Sequence, residues 1–169
     1  MENNFEGTLE HQAGDLLRQH GWRLAVAESC TGGLVGHRLT NIAGSSTYYM
    51  GSVTAYAYEA KVRLLGVRWE TLEKYGAVSR ETVVEMARGV RNALAADIGV
   101  SVSGIAGPGG GTPEKPVGLT WIGLSTPHHE LAWSFVWEGN RVQNKEISAE
   151  TALRLLVEYL RQHIGDPAV

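Results

Sequence analysis

The apolar positions of this chain repeat at two different periods. Leu9, Ala13, Leu16 and Leu17 recur at helical spacing, and Gly21 supplies a stop, which predicts a helix ending near residue 20. Residues 23–27 are a short apolar run and read as a buried strand, followed by a helix over 33–42 that ends at Ala43-Gly44-Ser45-Ser46. Residues 50–58 alternate small and larger side chains, as a strand does. A short helix over 59–65 stops near Gly66, and 71–75 form another helical turn. Ser79 is a natural N-cap for a long helix through Ala95 that places Val83, Ala87, Val90 and Leu94 on one face. Strands follow at 98–103, 117–125 and 131–137, with a Gly-, Pro- and Thr-rich loop over 104–116. A last helix over 142–163 is expected to bury Ile147, Ala152, Leu155, Leu156 and Tyr159.

Strands that alternate with helices over the first hundred residues favour parallel pairing, with helices on both faces of the sheet. The last two strands are close in sequence, joined by Pro127-His128-His129, and read as a hairpin. The sheet is therefore expected to be mixed but mostly parallel, with about five strands. With no internal repeat and no linker, residues 1–169 read as one α/β domain.

Composition narrows the function. A net charge of -3 without a basic run argues against nucleic-acid binding, which needs clustered Lys and Arg. No apolar stretch approaches the roughly 20 residues that span a bilayer, and Met1-Glu2-Asn3-Asn4 lacks a basic n-region, so a cytoplasmic location is expected. The single cysteine, Cys30, precludes an intrachain disulfide. The P-loop, the dinucleotide glycine fingerprint after the first strand, the hydrolase elbow and the Ser-x-x-Lys pattern are all missing. The six histidines have no metal-ligand spacing, so no metal site is expected.

Candidate chemistry gathers at three glycine-bearing junctions. The first is Ala27-Glu28-Ser29-Cys30-Thr31-Gly32-Gly33, where an apolar strand meets a helix start. Unpaired N–H groups and the positive end of the helix dipole can activate a nucleophile or hold an anion there. The bland alternative makes Ser29 a cap and Cys30 an inert core thiol. The second is Tyr56-Ala57-Tyr58-Glu59-Ala60-Lys61. A partly desolvated lysine near a helix start has a reason for a lowered pKa and can take a proton from a serine hydroxyl. An exposed lysine paired with Glu59 fits the spacing equally well. The third is the strand end and glycine-rich loop from Ser101 to Thr112, a candidate anion nest stiffened by Pro108, Pro113 and Pro116. Arg141 and Lys145 share a helix face and are candidate anion contacts or a solvated surface. Trp121, Trp133 and Trp137 fall on the last two strands, as core or interface residues.

Together these segments resemble the CinA C-terminal domain family, which includes stand-alone nicotinamide-nucleotide amidases. The resemblance rests on Ala27 to Gly33, Ile42-Ala43-Gly44-Ser45-Ser46, Tyr56 with Glu59-Ala60-Lys61, Gly76-Ala77-Val78-Ser79, Ser103 to Pro108, and Lys115-Pro116-Val117-Gly118. It implies a three-layer α/β/α fold, and hydrolysis of nicotinamide mononucleotide to nicotinic acid mononucleotide and ammonia, with neither a metal nor an organic cofactor expected. The family's nucleophile maps onto Ser29, its lysine base onto Lys61 and its assisting tyrosine onto Tyr56. Cys30, Thr31, Gly32, Gly33, Ser103, Gly104, Gly107, Gly109 and Arg141 are the expected substrate-binding residues. The partner is then a small nucleotide, and a homodimer is expected, with the aromatic strands as a candidate interface. Longer relatives carry an N-terminal nucleotide-hydrolase domain, whose activity is not expected here. The chain departs from the family at Ala57-Tyr58, where relatives usually have Ser-Asn, so Tyr58 is expected to reshape the pocket wall. It also carries Asn144-Lys145 after Arg141, where relatives often have Val-Arg.

Overall fold

Helix α1 (Leu9–His20) begins where the Thr8 hydroxyl accepts the His11 N–H, and ends at Gly21, whose left-handed φ of 70° closes the C-cap. This computed structural model describes residues 5–163. After α1 come β1 (Leu24–Glu28), α2 (Leu34–Thr40), a 3-10 turn (Ser45–Thr47), β2 (Tyr49–Thr54), α3 (Tyr58–Leu65), α4 (Trp69–Tyr75) and α5 (Arg80–Ala93). The chain continues through β3 (Ile98–Gly104), β4 (Leu119–Ser125), β5 (Glu130–Val136) and α6 (Arg141–Gln162).

The five strands form one sheet in the order β2-β1-β3-β4-β5. β1 pairs in parallel with both β2 and β3, while β4 runs antiparallel to β3 and to β5. Only β4 is therefore reversed, and the sheet is mixed and mostly parallel as expected. Alternation of side chains along β1 and β3 divides the core in two. Leu24, Val26, Ile98, Val100 and Val102 join α1, α2 and α6 on one face. Ala25 and Ala27 join Leu65, Leu72, Met86 and Val90 from α3, α4 and α5 on the other. Small residues on this second face let α5 lie close to the sheet. A Cβ on Gly99 would stand 2.1 Å from the Ala87 carbonyl oxygen, and one on Gly123 would stand 2.5 Å from that of Val83. Ser101 Oγ donates to the same Val83 oxygen at 2.6 Å, so its hydroxyl is satisfied inside the core.

Several sequence expectations shift. β2 stops at Thr54, four residues short of Tyr58: Ala55 N–H still donates to Glu28 O of β1, and Tyr58 already begins α3. Ile147 is 40% exposed and Leu155 only half-buried; α6 instead buries Ala149, Ala152, Leu153, Leu156, Val157 and Tyr159. Asn144 and Ser148 turn inward near its start, where they carry hydrogen bonds, so the apolar stripe begins a turn later. Trp137 falls one residue beyond β5, stacks on Phe135 and donates to Ser148 Oγ. No helix among the described residues is long and apolar enough to cross a membrane.

Candidate active site

The alternation of β1 sets the site. Continued past Val26, it sends Glu28 toward α2 and Ser29 toward α3. Both are buried at the C-terminal ends of the parallel strands, where ligands of open α/β sheets bind.

Ser29 meets Lys61, the fourth residue of α3, whose side chain is 0% exposed. Lys61 Nζ lies 3.0 Å from Ser29 Oγ, 2.8 Å from Ala55 O and 3.1 Å from Tyr56 O. Burial lowers the Lys61 pKa from 10.5 to about 8, against a smaller opposing pull from Cys30. A neutral amine has two N–H bonds and one lone pair. With both N–H groups donated to the Ala55 and Tyr56 carbonyls, the lone pair is left facing the Ser29 hydroxyl. The alternative of an exposed lysine paired with Glu59 is excluded by this burial.

Glu28 occupies the helix start that the sequence reading left open for an anion or a nucleophile. Its Oε2 accepts from Thr31 Oγ1 at 2.6 Å and from the Gly33 and Val35 N–H groups at 3.1 Å, and its Oε1 accepts from Gly36 N–H at 2.9 Å. The first turn of α2 is therefore filled by the protein's own carboxylate. Thr31, Gly32 and Gly33, expected to bind substrate, lie outside the cleft lining: Thr31 and Gly33 bond this carboxylate, and Gly32 N–H donates to Ser29 O.

The cleft itself holds about 270 Å³. Of the expected residues, Ser29, Cys30, Tyr56, Lys61, Ser103, Gly104, Gly107, Gly109 and Arg141 line it. A depression of about 580 Å³ beside Trp22 and Tyr48 is larger but contains no comparable nucleophile and base, so size does not mark the site. Cys30 is buried with its thiol pKa pushed up to about 11 by that burial, which disfavours the thiolate. Its sulfur backs onto Gly104, where an added Cβ would approach it to 3.1 Å. Ser103 Oγ donates to Ala77 O at 2.8 Å, joining the end of β3 to the opposite wall.

The glycine-rich loop forms the other side of the cleft. The Ala106, Gly107, Gly109 and Gly110 N–H groups have no acceptor among the described residues. Arg141, the first residue of α6, donates through Nη1 to Gly107 O at 2.7 Å and through Nη2 to the Tyr56 hydroxyl at 3.0 Å. The Tyr56 phenol is thus engaged with Arg141, and no hydrogen bond joins it to Ser29 or Lys61. Lys145 diverges from Arg141, its Nζ lying 3.8 Å from where a Cβ on Gly32 would be.

Ala77 and Val78 also line the cleft, although the sequence reading assigned them no role. Their sequence signal is their place in Gly76-Ala77-Val78-Ser79, one of the segments that carry the family resemblance. Tyr58 does not line the cleft. Its ring leans toward Trp69 and its hydroxyl accepts Ala77 N–H at 3.2 Å, so it supports the wall from behind. Lys115 reinforces the same wall by donating to the carbonyls of Tyr75 and Val78.

Known proteins share this arrangement of elements. Residues 6–160 match the CinA C-terminal domain. A CinA-like protein of Salinibacter ruber is 51% identical over 146 residues, covering 86% of this chain and 35% of its own length. The chain thus spans little more than a third of such curated relatives. Among solved structures, a CinA superfamily protein from Klebsiella pneumoniae superposes with a TM-score of 0.88 at 33% identity, covering 91% of this chain and 96% of its own. The competence/damage inducible protein CihA from Agrobacterium tumefaciens gives 0.85 at 39% identity, covering 94% and 98%. These matches lead to one conclusion: the chain belongs to the CinA C-terminal domain family.

Proposed function

We propose that this domain is an amidohydrolase that converts nicotinamide mononucleotide to nicotinic acid mononucleotide and ammonia through a seryl acyl-enzyme. The observation that carries the reading is the contact of 3.0 Å between Ser29 Oγ and a fully buried Lys61 amine. A nucleophile needs a base within hydrogen-bond reach and with a pKa near working pH, and Lys61, at about 8, meets both conditions.

Neutral Lys61 takes the Ser29 proton as Oγ attacks the carboxamide carbon. The Cys30 N–H group, which follows Ser29 in the cleft lining and has no oxygen acceptor among the described residues, is the oxyanion donor of this reading. Such a donor is worth ~2.7–4 kcal/mol in a preorganised site. Lys61 then returns its proton to the departing nitrogen, the C–N bond breaks and ammonia leaves. Water, deprotonated by Lys61, adds to the ester carbon, and the Ser29–acyl bond breaks as the proton passes back to Ser29. The substrate's phosphate goes to the free amides of the glycine-rich loop beside Arg141.

Ammonia release from nicotinamide mononucleotide by wild type and by Ser29→Ala tests the reading. Release by wild type and its loss in the variant are expected. A folded wild type that releases none refutes it.

A further inference from the structure

Tyr56 touches two parts of the site through different atoms. Its carbonyl oxygen accepts from Lys61 Nζ at 3.1 Å, and its hydroxyl accepts from Arg141 Nη2 at 3.0 Å. The neighbouring Ala55 carbonyl is the other oxygen that aims Lys61. Both carbonyls lie in the short connection between β2 and α3, and Ala57, which caps α3, offers no side-chain hydrogen bond to hold it. The Tyr56 side chain is 61% exposed, so packing does little to anchor it; its hydrogen bond to Arg141 does. Arg141 in turn bridges this connection to the glycine-rich loop through Gly107 O, next to amides with no acceptor among the described residues. Its remaining guanidinium N–H groups are available to an anion, and charge-assisted bonds to a phosphate would hold it more firmly than neutral acceptors do.

We infer that Tyr56 couples an anion bound at Arg141 to the Ser29–Lys61 pair, so that the substrate's anionic group activates amide cleavage as well as anchoring the substrate. This rests on the amidase reading and deepens it: the anion at the far end of the cleft acts on turnover and not only on binding. Fixing Arg141 fixes the Tyr56 hydroxyl, which fixes the connection whose carbonyls orient the base. Tyr56 is in this role a positioning residue. Binding energy from a remote group then appears in turnover, so a truncated substrate loses kcat and not only affinity.

The probe is nicotinamide riboside, which bears the same amide without the phosphate. Its kcat is expected to fall well below that of the nucleotide. Millimolar phosphite added separately is expected to raise its kcat/KM by about tenfold or more. Tyr56→Phe and Arg141→Ala should each lose that stimulation. A nucleoside that differs from the nucleotide in KM alone, with no response to phosphite, overturns the coupling and leaves the amidase reading standing. If neither amide is cleaved, the amidase reading fails, and NMR of 13C-tyrosine-labelled protein decides the coupling alone. The Tyr56 ring signal, assigned with Tyr56→Phe, is expected to shift on phosphite addition in wild type and stay fixed in Arg141→Ala. A signal that does not respond in wild type overturns the coupling.

Discussion

Two glycine-bearing turns follow the adjacent parallel strands β1 and β3, and they use their backbone amides in opposite ways. After β1, the Gly33, Val35 and Gly36 N–H groups all point at the buried Glu28 carboxylate. After β3, the Ala106, Gly107, Gly109 and Gly110 N–H groups find no protein acceptor among the described residues, and Arg141 stands beside them. Glycine content does not separate the two. What does is whether a neighbouring side chain already supplies the anion. The first turn is bonded throughout to its own carboxylate, which suits it to hold Ser29 in place. The second leaves its donors without a protein acceptor, beside a guanidinium.

The comparison predicts that changes at the first turn act on turnover or stability, and that changes at the second act on affinity and, through Tyr56, on turnover as well. The largest effect is expected at the nucleophile and base. Ser29→Ala or Lys61→Ala should lower kcat on the amide by at least about a thousandfold, measured by ammonia release. Full turnover by either variant would remove that residue from the chemistry.

Glu28→Gln should come next. It discards the charge that the helix start was built around and turns one acceptor into a donor, at a cost of about 2–3 kcal/mol. A lower urea midpoint at unchanged slope is the expected reading. An unchanged midpoint would mean that the filled turn contributes nothing to stability.

At the open turn, Arg141→Ala should raise KM for the nucleotide by about 10- to 100-fold, a size that fits the loss of a charge-assisted contact, and should lower its kcat as well, because Tyr56 loses its anchor. An unchanged KM would take Arg141 out of the anion site and dissolve the contrast between the turns.

The pH profile follows from the lowered Lys61 pKa. Below about 8 the amine is protonated and cannot accept the Ser29 proton. The kcat/KM should therefore fall about tenfold per pH unit below that value and level off above it. A profile flat from pH 6 to 9 would contradict a lysine base.

The smallest effect is expected for Cys30→Ala. Its thiol is buried with a raised pKa, so activity should stay within about threefold of wild type. Loss of activity here, with Ser29→Ala still active, would move the nucleophile by one residue.

The sequence by itself determined the order of elements, the reversal at the β4–β5 hairpin and the position of Ser29 at a strand end. Those features are written in neighbouring residues: apolar periods, the Ser79 cap and the glycine stops at Gly21 and Gly66. It also brought the three junctions under suspicion, because glycine and hydroxyl residues cluster there. Tertiary structure decided which of two roles each residue took. Lys61 is read equally well as a solvated or a buried lysine until α3 is docked on the sheet beside Ser29, 32 residues earlier. Glu28 becomes a cap for α2 because the pleat of β1 turns it away from Ser29. Tyr56 finds Arg141 from 85 residues away only when α6 begins over the glycine-rich loop. Local periodicity records which side of an element is buried. It does not record what that side will face, because the facing groups come from sheet register and helix packing across the whole chain.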